Sequence, residues 1–284
     1  MRAMNDIILE ILDAMAALDG GARNADGANI DPLTTAQLLV LAERERSVKA
    51  MLGERWGRSL DYLLETQLPD GHWERPDDSW HSSITAWALT ALAPLQPHRV
   101  VAVATGLAWL ERRELAFGGV SESERLAEPN TYSTGCAIKA FFALGLPENR
   151  TDIHINWLRN RQASSGGFND TCVIQKEPES SISAYVWHAL EDSENNDAQA
   201  IKRGIERFLA KKQRPSGAWS TWFDDNDTLE GTAACLRVLA GSAATYRDSV
   251  RRGVAYLENI QLRDQEWWAV LSLGYILSQL SDHR

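Results

Sequence analysis

Two clusters of acidic residues have the types and spacing that proton transfer needs. One reads Asp77-Asp78-Ser79-Trp80-His81, and the other reads Asp224-Asp225-Asn226-Asp227. Adjacent carboxylates repel each other, which favours keeping a proton on one of them near neutral pH. A neighbouring imidazole can return that proton or act as a base. Acids also cap helix N-termini, so each carboxylate has a structural interpretation as well. The candidate catalytic residues are Asp77, Asp78, His81, Asp225 and Asp227.

An excess of tryptophan provides a second ingredient of an active site. The chain has 11 Trp, against 6 Tyr and 6 Phe. Aromatic ring faces stabilise a carbocation without quenching it, because they offer π electrons and no nucleophile. The same rings can instead form a packed core. The aromatic residues in or near the apolar segments are the candidate substrate-binding residues: Trp80, Trp87, Tyr132, Tyr185, Trp187, Trp222, Trp267 and Trp268.

An internal repeat indicates how these residues are positioned. Its unit is an aromatic residue and Leu, then Gln, then a glycine-containing stretch that ends in an aromatic residue. The anchor positions are Gln67, Glu114, Gln162, Gln213 and Gln261, of which the second and fifth belong to looser copies. They are 47, 48, 51 and 48 residues apart, so the 284 residues have room for six units. A degenerate copy from Ile7 to Ala42 completes the series.

Each unit contains two segments of different character. The segment before the anchor is amphipathic, as in residues 198–212, and predicts an outer helix. The segment after the glycine is apolar and rich in small residues, as in residues 82–95, and predicts an inner helix. No alternating run of β-branched residues supports strands. Six such hairpins close naturally into a ring, whereas an open solenoid would expose the inner helices. We therefore expect an all-α fold, an (α/α)6 barrel with inner and outer helix rings, in one domain spanning residues 1–284.

Composition and charge exclude several classes of partner. Lys and Arg number 29 against 39 Asp and Glu, a formal charge of -10, which disfavours nucleic acid and anionic membranes. The apolar runs are shorter than the roughly 18 to 20 residues of a membrane-spanning helix, and no basic-then-apolar leader begins the chain. We expect a cytoplasmic protein without stable membrane insertion. The sequence leaves open whether the protein forms a homodimer or binds another protein of its pathway.

The element Gln-x-x-x-Gly-x-Trp resembles the QW repeat of the squalene-hopene and oxidosqualene cyclases. That repeat is related to those of class II diterpene cyclases and protein prenyltransferase β subunits. Its best copies here run from Gln67 to Trp73 and from Gln213 to Trp219. The resemblance spans the whole chain as architecture, and it implies that the Gln side chain and Trp ring tie one outer helix to its neighbour. Several chemistries share this fold, so it says less about the reaction.

Two departures from the family pattern affect the expected chemistry. The resemblance implies an Asp-x-Asp-Asp run whose middle Asp protonates an alkene or epoxide, but Asn226 stands at that place. Either the register differs, with Asp225 or Asp227 as donor, or the acid lies elsewhere, or protonation has been lost. A competing register aligns Gly231-Thr232 with a Gly-Thr of non-catalytic repeats. Class II cyclases also join two barrels, so a single barrel implies a cavity inside it or one shared with a partner.

The metal chemistry of the prenyltransferases is only weakly represented. In those enzymes Asp and Cys lie two residues apart at an inner-helix start and bind zinc with a His. Asp170 and Cys172 have this spacing but follow the Gly166-Gly167-Phe168 turn, and His188 or His81 would have to complete the set. Three distant cysteines indicate no disulfide framework, and no phosphate-binding loop or nucleophile elbow occurs. We expect no metal and no cofactor.

The residues and the resemblance together favour a terpene-cyclase-like enzyme. It would act by acid-base catalysis, through protonation-initiated cyclisation or isomerisation, on an isoprenoid or similarly apolar small molecule in the barrel lumen. One alternative is a non-catalytic binding or scaffold protein that retains the fold, which Asn226 favours. Another is a carbohydrate-active (α/α)6 enzyme, which also uses paired carboxylates and an aromatic-lined mouth.

Overall fold

The computed structural model describes residues 21–23, 30–44, 46–75, 80–95, 100–123, 128–170, 177–221 and 226–259. Six of the predicted site residues lie outside these ranges, namely Asp77, Asp78, Trp222, Asp225, Trp267 and Trp268.

Helices make up most of the described chain. In chain order they are α1 (Pro32–Arg44), α2 (Arg46–Leu52), α3 (Glu54–Glu65), α4 (His81–Leu92), α5 (Val100–Glu111), α6 (Thr131–Ala143), α7 (Asn149–Arg161), α8 (Ser180–Ala189), α9 (Asn196–Lys212), α10 (Leu229–Ala240) and α11 (Ala243–Glu258). A short 3-10 turn, Ala93–Leu95, extends α4. None of the described helices is long and apolar enough to cross a membrane.

The helices form an inner and an outer set that alternate along the sequence. The inner helices α1, α4, α6, α8 and α10 pack in that order, each against the next. The outer helices α3, α5, α7, α9 and α11 pack against the inner helices next to them in sequence. This arrangement confirms the predicted all-α barrel of helical hairpins. The remaining helices that the repeat predicts fall on residues 1–20 and 260–284, outside the described residues.

Burial follows the two kinds of segment that the sequence contains. All residues of the inner helix α10, from Leu229 to Ala240, are buried. The outer helix α9 buries one stripe that includes Ile201, Ile205 and Phe208, spaced three and four apart. An inner helix is covered on one side by an outer helix and on both flanks by its inner neighbours. Its small apolar residues allow that close approach.

Short β-pairs in the loops were not predicted. β1 (Ala22–Arg23) pairs with β2 (Ile30–Asp31), and β3 (Val120–Ser121) pairs with β4 (Pro129–Asn130), both antiparallel. Single bridges join Phe168 to Glu179 and Trp219 to Thr228 at the equivalent place in two further copies. The loops before α1, α6, α8 and α10 therefore return on themselves just before these inner helices. Two-residue pairs are too short to produce the alternating pattern by which strands are recognised in a sequence.

The anchor glutamines make the same two hydrogen bonds in three copies of the repeat. In each, Nε2 donates to the carbonyl of the glycine four residues later and to a carbonyl of the next outer helix, at 2.8 to 3.0 Å. The acceptors on the next outer helix are Ala102 for Gln67, Ile201 for Gln162 and Ser249 for Gln213. We call this pair of bonds the glutamine clamp. It joins consecutive outer helices through side chain and backbone alone.

The turn glycines are required by the same contact. Gly166 has a φ of +94°, a region that disfavours residues with a Cβ. A Cβ at this position would overlap the carbonyl oxygen of Gly204 on α9. Gly71 and Gly217 meet the next outer helix in the same way. The glycine therefore sets how closely the turn approaches the neighbouring repeat.

The looser copy with Glu114 replaces the clamp by charged contacts. Glu114 Oε1 lies 2.6 Å from Arg150 Nη2, and Glu114 Oε2 lies 3.0 Å from His154 Nε2. Both partners belong to α7, the next outer helix. The link to the next outer helix is thus made by glutamine hydrogen bonds in three copies and by a glutamate carboxylate in this one.

The Trp that closes the turn bonds to its own outer helix. Trp219 Nε1 donates to the Leu209 carbonyl at 2.8 Å.

Candidate active site

Each described inner helix is held to the turn before it by the same hydrogen bond. A Ser or Thr hydroxyl in the first turn of the helix accepts from the backbone N–H of the residue that closes the preceding turn. The hydroxyls belong to Thr35, Thr85, Thr134, Ser183 and Thr232, with N···O distances of 2.7 to 3.2 Å. This bond provides a common reference position. The residue two positions before the Ser or Thr and the residue two positions after it are four apart, so they share one face of the helix.

At these positions, four consecutive inner helices carry side chains that touch. Trp87 Nε1 on α4 donates to the Tyr132 hydroxyl on α6 at 3.3 Å. The Tyr132 ring meets the Tyr185 ring of α8 edge to face, with centroids 5.2 Å apart. The Tyr185 hydroxyl donates to Glu230 Oε1 on α10 at 2.5 Å. The row of contacts crosses four inner helices, which places these side chains on the interior face of the ring.

The aromatic part of this row includes four of the predicted substrate-binding residues. Trp80, which directly precedes α4, lies edge to face with Tyr132 at 6.0 Å between ring centroids. Trp80, Trp87, Tyr132 and Tyr185 are all half-buried. Parts of each ring therefore remain accessible beside the apolar inner helices. Such a surface can line a pocket for an apolar ligand.

Glu230 is the acid that the structure brings to these rings. It lies in the first turn of α10 and is only 5% exposed. Its bond from Tyr185 is short, as expected for a hydroxyl that donates to a carboxylate. A buried carboxyl beside aromatic rings is the arrangement by which enzymes present a proton to an apolar substrate.

The two tyrosines on the row are held in their protonated form. Burial raises the pKa of Tyr185 well above its usual value, and the negative charge of Glu230 raises it further. Burial likewise raises the pKa of Tyr132. Both phenols therefore keep their protons, and Tyr185 acts as a fixed hydrogen-bond donor to Glu230.

Sequence reasoning missed Glu230 because it examined acids in the loops before the inner helices. Glu230 lies inside the helix, in the run Thr228-Leu229-Glu230-Gly231-Thr232. Its signal was an acidic residue in an inner segment whose one other charged residue is Arg237, two residues before the hydroxyl of Thr232. That signal becomes readable only once the recurring hydroxyl is known to mark a helix face.

A second buried acid, Glu122, has a structural role. Its Oε1 accepts from the Ser83 N–H at 3.1 Å, and its Oε2 accepts from the Ser83 hydroxyl at 2.8 Å. The Ser133 hydroxyl also donates to Oε2. These bonds fix the first turns of α4 and α6 to each other. Asp170 acts similarly, accepting from the Tyr132 N–H at 3.1 Å. Acids therefore do cap inner helices, as the structural interpretation of the sequence expected.

The structure places Asp227, a predicted catalytic residue, toward the outer helices. Its Oδ1 lies 3.4 Å from Arg214 Nη1. Its charge also raises the pKa of Tyr256 on α11, after the larger effect of burial. Asn226 beside it is exposed. Among the described residues, Asp227 thus pairs with Arg214 and makes no hydrogen bond or ion pair with the row that contains Glu230.

Trp187 also lies apart from the other aromatic residues. Its Nε1 donates to Glu206 Oε1 on α9 at 3.1 Å, and Lys202 Nζ lies 5.8 Å from its ring centroid. Trp187 is two residues from Tyr185, about 200° around the helix, so the two side chains face opposite ways. Trp187 is therefore directed at the outer ring.

His81, the remaining predicted catalytic residue, begins α4 next to Trp80. Its Nε2 lies 3.8 Å from Glu74 Oε2, and its ring centroid is 5.2 Å from that of His72. The structure thus pairs His81 with a turn residue of its own repeat. Its predicted partners Asp77 and Asp78 lie outside the described residues.

A separate charged cluster lies near the C-terminal ends of the inner helices. Glu191 Oε2 is 2.6 Å from Arg237 Nη2 and 3.1 Å from Arg44 Nη1. Burial alone would raise the pKa of Glu191, but the charges of Arg237, His188 and Arg44 lower it to about 2. Burial and the repulsion from Arg44 and Arg237 lower the pKa of Lys139 to about 8. This cluster joins α1, α6, α8 and α10 and has a structural role.

Glu191→Gln should destabilise the protein by about 3 kcal/mol at pH 7, because it leaves Arg237 without its carboxylate. The folded-state pKa of Glu191 is depressed, so its contribution is present above pH 4.5 and is lost as pH falls toward 2. By pH 3 the difference in free energy of unfolding between wild type and the variant should be less than about half of its value at pH 7. Urea unfolding at both pH values measures it. Glu177→Gln, at an exposed ion pair with Lys212, is the matched control and should change stability by less than about 0.5 kcal/mol.

Comparison with known proteins places this chain near the cyclases. No protein-family model matches the chain. Squalene-hopene cyclase from Alicyclobacillus acidocaldarius is 26% identical over 261 residues, which cover 77% of this chain and 40% of that protein. The chain therefore spans less than half the length of this relative.

Solved structures share the fold over nearly the whole chain. A variant of the type II terpene cyclase MstE from Scytonema, in complex with geranylgeranyl dihydroxybenzoate, superposes with a TM-score of 0.74 at 15% identity, covering 99% of this chain and 96% of that one. A possible member of the GH105 family from Salmonella enterica has a TM-score of 0.67 at 12% identity, covering 99% and 94%. The ent-copalyl diphosphate synthase of Streptomyces platensis has a TM-score of 0.63 at 21% identity, covering 87% of this chain and 50% of that one. The resemblance to class II terpene cyclases that the repeat predicted is confirmed.

Proposed function

We propose that this class II terpene cyclase-like chain is a single-barrel enzyme that cyclises or isomerises an isoprenoid by acid catalysis. The observation that carries the proposal is the buried carboxyl of Glu230, bonded to Tyr185 at the end of the aromatic row. Residues 1–284 would form one domain with the substrate in its interior. Geranylgeranyl dihydroxybenzoate, bound by the MstE variant, indicates the chemical class, a prenyl chain with a polar aromatic head.

In the proposed reaction the Glu230 carboxylate first takes up a proton from solvent, and the first step on the substrate transfers that proton to a carbon–carbon double bond. The π electron pair forms the new C–H bond and leaves a carbocation at the adjacent carbon. Tyr185 donates to Glu230 Oε1, so it stabilises the carboxylate that remains. The charge then moves as further double bonds attack the cation. Loss of a proton from the final cation restores a neutral product of unchanged mass.

The aromatic rings stabilise the intermediate cations in this proposal. Trp80 and Trp87 both contact Tyr132, and the ring of Tyr132 contacts that of Tyr185 beside the acid. A cation over a desolvated ring gains about 2 kcal/mol, and the rings provide no nucleophile that would end the cascade early. The buried hydroxyls of Tyr132 and Tyr185 keep their protons, so neither becomes a competing base.

The acids predicted from the sequence have supporting roles in the proposed reaction. Asp225 is the alternative proton donor, since it lies in the Asp-rich run just before α10. Asp77 and Asp78, with His81, would return the proton to the donor. Trp222, Trp267 and Trp268 would extend the pocket wall. We propose a cytoplasmic enzyme without a resident cofactor for this reaction.

A carbohydrate-active enzyme is the second candidate function. It is favoured by the similarity of fold to the possible GH105 member. Glycosidases generally use two carboxyl groups about 5 to 9.5 Å apart on either side of the scissile bond. The interior row in the described residues offers Glu230 and several rings, which supports an apolar substrate more strongly.

The experiment that tests the proposal is identification of the ligand that copurifies with the protein, by native mass spectrometry. A prenylated small molecule supports the cyclase, whereas a bound sugar supports the carbohydrate enzyme. Incubation with geranylgeranyl dihydroxybenzoate and related prenylated acids should convert substrate into a product of identical mass and different retention time. Binding of neither class together with no turnover would refute the enzyme and leave the non-catalytic binding protein.

A further inference from the structure

Three metal-ligating side chains converge beside the start of α4. His72 Nε2 lies 3.4 Å from Glu74 Oε2, and His81 Nε2 lies 3.8 Å from the same oxygen. One ligand atom from each residue falls within 4.8 Å of the other two. Zinc bonds of about 2.0 to 2.1 Å place tetrahedral ligands about 3.3 to 3.4 Å apart. The two distances to Glu74 Oε2 are close to this spacing, so the three residues can approach one ion with small side-chain movements.

The protonation of His72 is set by its other neighbour. His72 Nδ1 lies 2.6 Å from Asp70 Oδ1, and because a carboxylate only accepts, Nδ1 carries the proton. In the neutral ring, Nε2 then offers a lone pair. A carboxylate on the far nitrogen is the usual support of a metal-binding histidine, since it fixes the tautomer and the ring orientation.

His72 Nε2 is also buried without a hydrogen bond from any described residue. The residue is 8% exposed, and its ring stacks on Trp109 at 4.7 Å between centroids. The nitrogen lone pair thus faces the Glu74 carboxylate across 3.4 Å. A cation between the two atoms stabilises this contact, and it is either a proton on Nε2 or a metal ion.

The repeat provides an internal comparison for the three positions. Where the second unit has His72, the other described copies have Gly or Ala. At the position of Glu74 they have Arg, Ser or Asn, and at that of His81 they have Asp, Asn, Glu or Thr. The equivalent residues are Gly21, Gly119, Gly167 and Ala218; Arg23, Ser121, Asn169 and Ser220; and Asp31, Asn130, Glu179 and Thr228. Apart from Arg23, the other described copies have small or helix-capping residue types there, and the metal-ligand set occurs in the second unit.

We propose that His72, Glu74 and His81 form a zinc site at the start of α4, with the Asp70 carboxylate accepting from His72 Nδ1 and fixing its ring. Two imidazoles and one carboxylate are a ligand set typical of Zn²⁺ with an open fourth position for water. The ion would join the turn after α3 to the first residue of α4, next to Trp80. No metal was predicted from the sequence, because only cysteine-containing ligand sets and known metal-binding motifs were considered there.

The test is zinc binding by the untagged full chain, followed by calorimetry after chelation and dialysis. We expect one Zn²⁺ per chain and, with Co²⁺ as a probe, visible absorption typical of a four-coordinate ion. The variants take their residues from other copies of the repeat: His72→Ala, Glu74→Ser and His81→Asn. Each should weaken zinc binding by about 100-fold, and Asp70→Asn by about 10-fold. Glu65→Gln, an exposed carboxyl at the end of α3, is the matched control and should bind as wild type does.

Thermal unfolding separates loss of the site from loss of the fold. Zinc should raise the unfolding temperature of wild type and of the Glu65→Gln protein, and it should leave that of the ligand variants unchanged. Should His72→Ala fail to fold because its stack on Trp109 is lost, Glu74→Ser and His81→Asn decide the question. Equal zinc affinity in those two folded variants, or no stoichiometric binding by wild type, would overturn the proposal. Loss of zinc binding with turnover retained in Glu74→Ser leaves the proposed cyclase unaffected.

Discussion

Glu230→Gln is expected to reduce kcat by at least about 1,000-fold while substrate still binds. The amide has the shape of the carboxyl, and its oxygen can still accept from the Tyr185 hydroxyl, so the aromatic row stays in place. The amide cannot give up a proton to a double bond, and the reaction cannot begin. The test measures kcat and Kd of the variant for the substrate identified by copurification.

Glu122→Gln is the matched control for this variant. Glu122 is also a buried carboxyl beside the inner helices, but its oxygens are occupied by Ser83 and Ser133. We expect its kcat to stay within a few-fold of wild type even if stability falls. If Glu230→Gln keeps a tenth or more of the activity, Glu230 is not the acid. A simultaneous loss of activity in Asp225→Asn would then move the donor to the acidic run before α10.

Gly166→Ala is expected to destabilise the protein by about 4 kcal/mol, because it combines two penalties. An L-residue at a φ of +94° costs about 1 to 2 kcal/mol in backbone strain. Its Cβ would also push the carbonyl of Gly204 away, and with it the outer helix α9 that Gln162 holds. Losses of this size identify a specific steric conflict rather than a general effect of substitution. Urea unfolding followed by circular dichroism measures the difference.

Gly145→Ala isolates the first of these penalties. Gly145 has a φ of +69°, but a Cβ there would have no atom within 4 Å. Its substitution should cost about 1 to 2 kcal/mol from strain alone. Similar losses at Gly145 and Gly166 would contradict the steric argument. The turn would then have room for a side chain, and the clamp would not depend on the close approach of the glycine.

The fold could be predicted from the sequence because the same pattern of outer segment, turn and inner segment recurs in several copies. One copy of Gln-x-x-x-Gly would be weak evidence, but the recurrence near every 48 residues required a common structural cause. The contrast between polar outer and apolar inner segments, as between α9 and α10, then assigned each helix to its ring. The short β-pairs in the loops, such as β3 with β4, left no comparable periodic trace.

The candidate site was predicted only in part, for a reason that concerns helix faces. Trp87, Tyr132 and Tyr185 were chosen by type and segment, and the structure brings them together. Trp187 was chosen on the same grounds and lies on the outer side of α8. Type and segment do not specify which way a side chain points when the whole helix is apolar. Glu230 was missed for the same reason, since its significance depends on the face it shares with the interior row.

The glutamine clamp has a consequence for how such a chain can change in length. The spacing from Gln162 to Gln213 is 51 residues, whereas that from Glu114 to Gln162 is 48. Even so, the bonds from Gln162 and Gln213 to the next outer helix measure 3.0 and 2.8 Å. Each unit is therefore aligned afresh on its successor, and an insertion in one unit does not accumulate as misalignment in the next. Single units can therefore differ in length without rebuilding the ring.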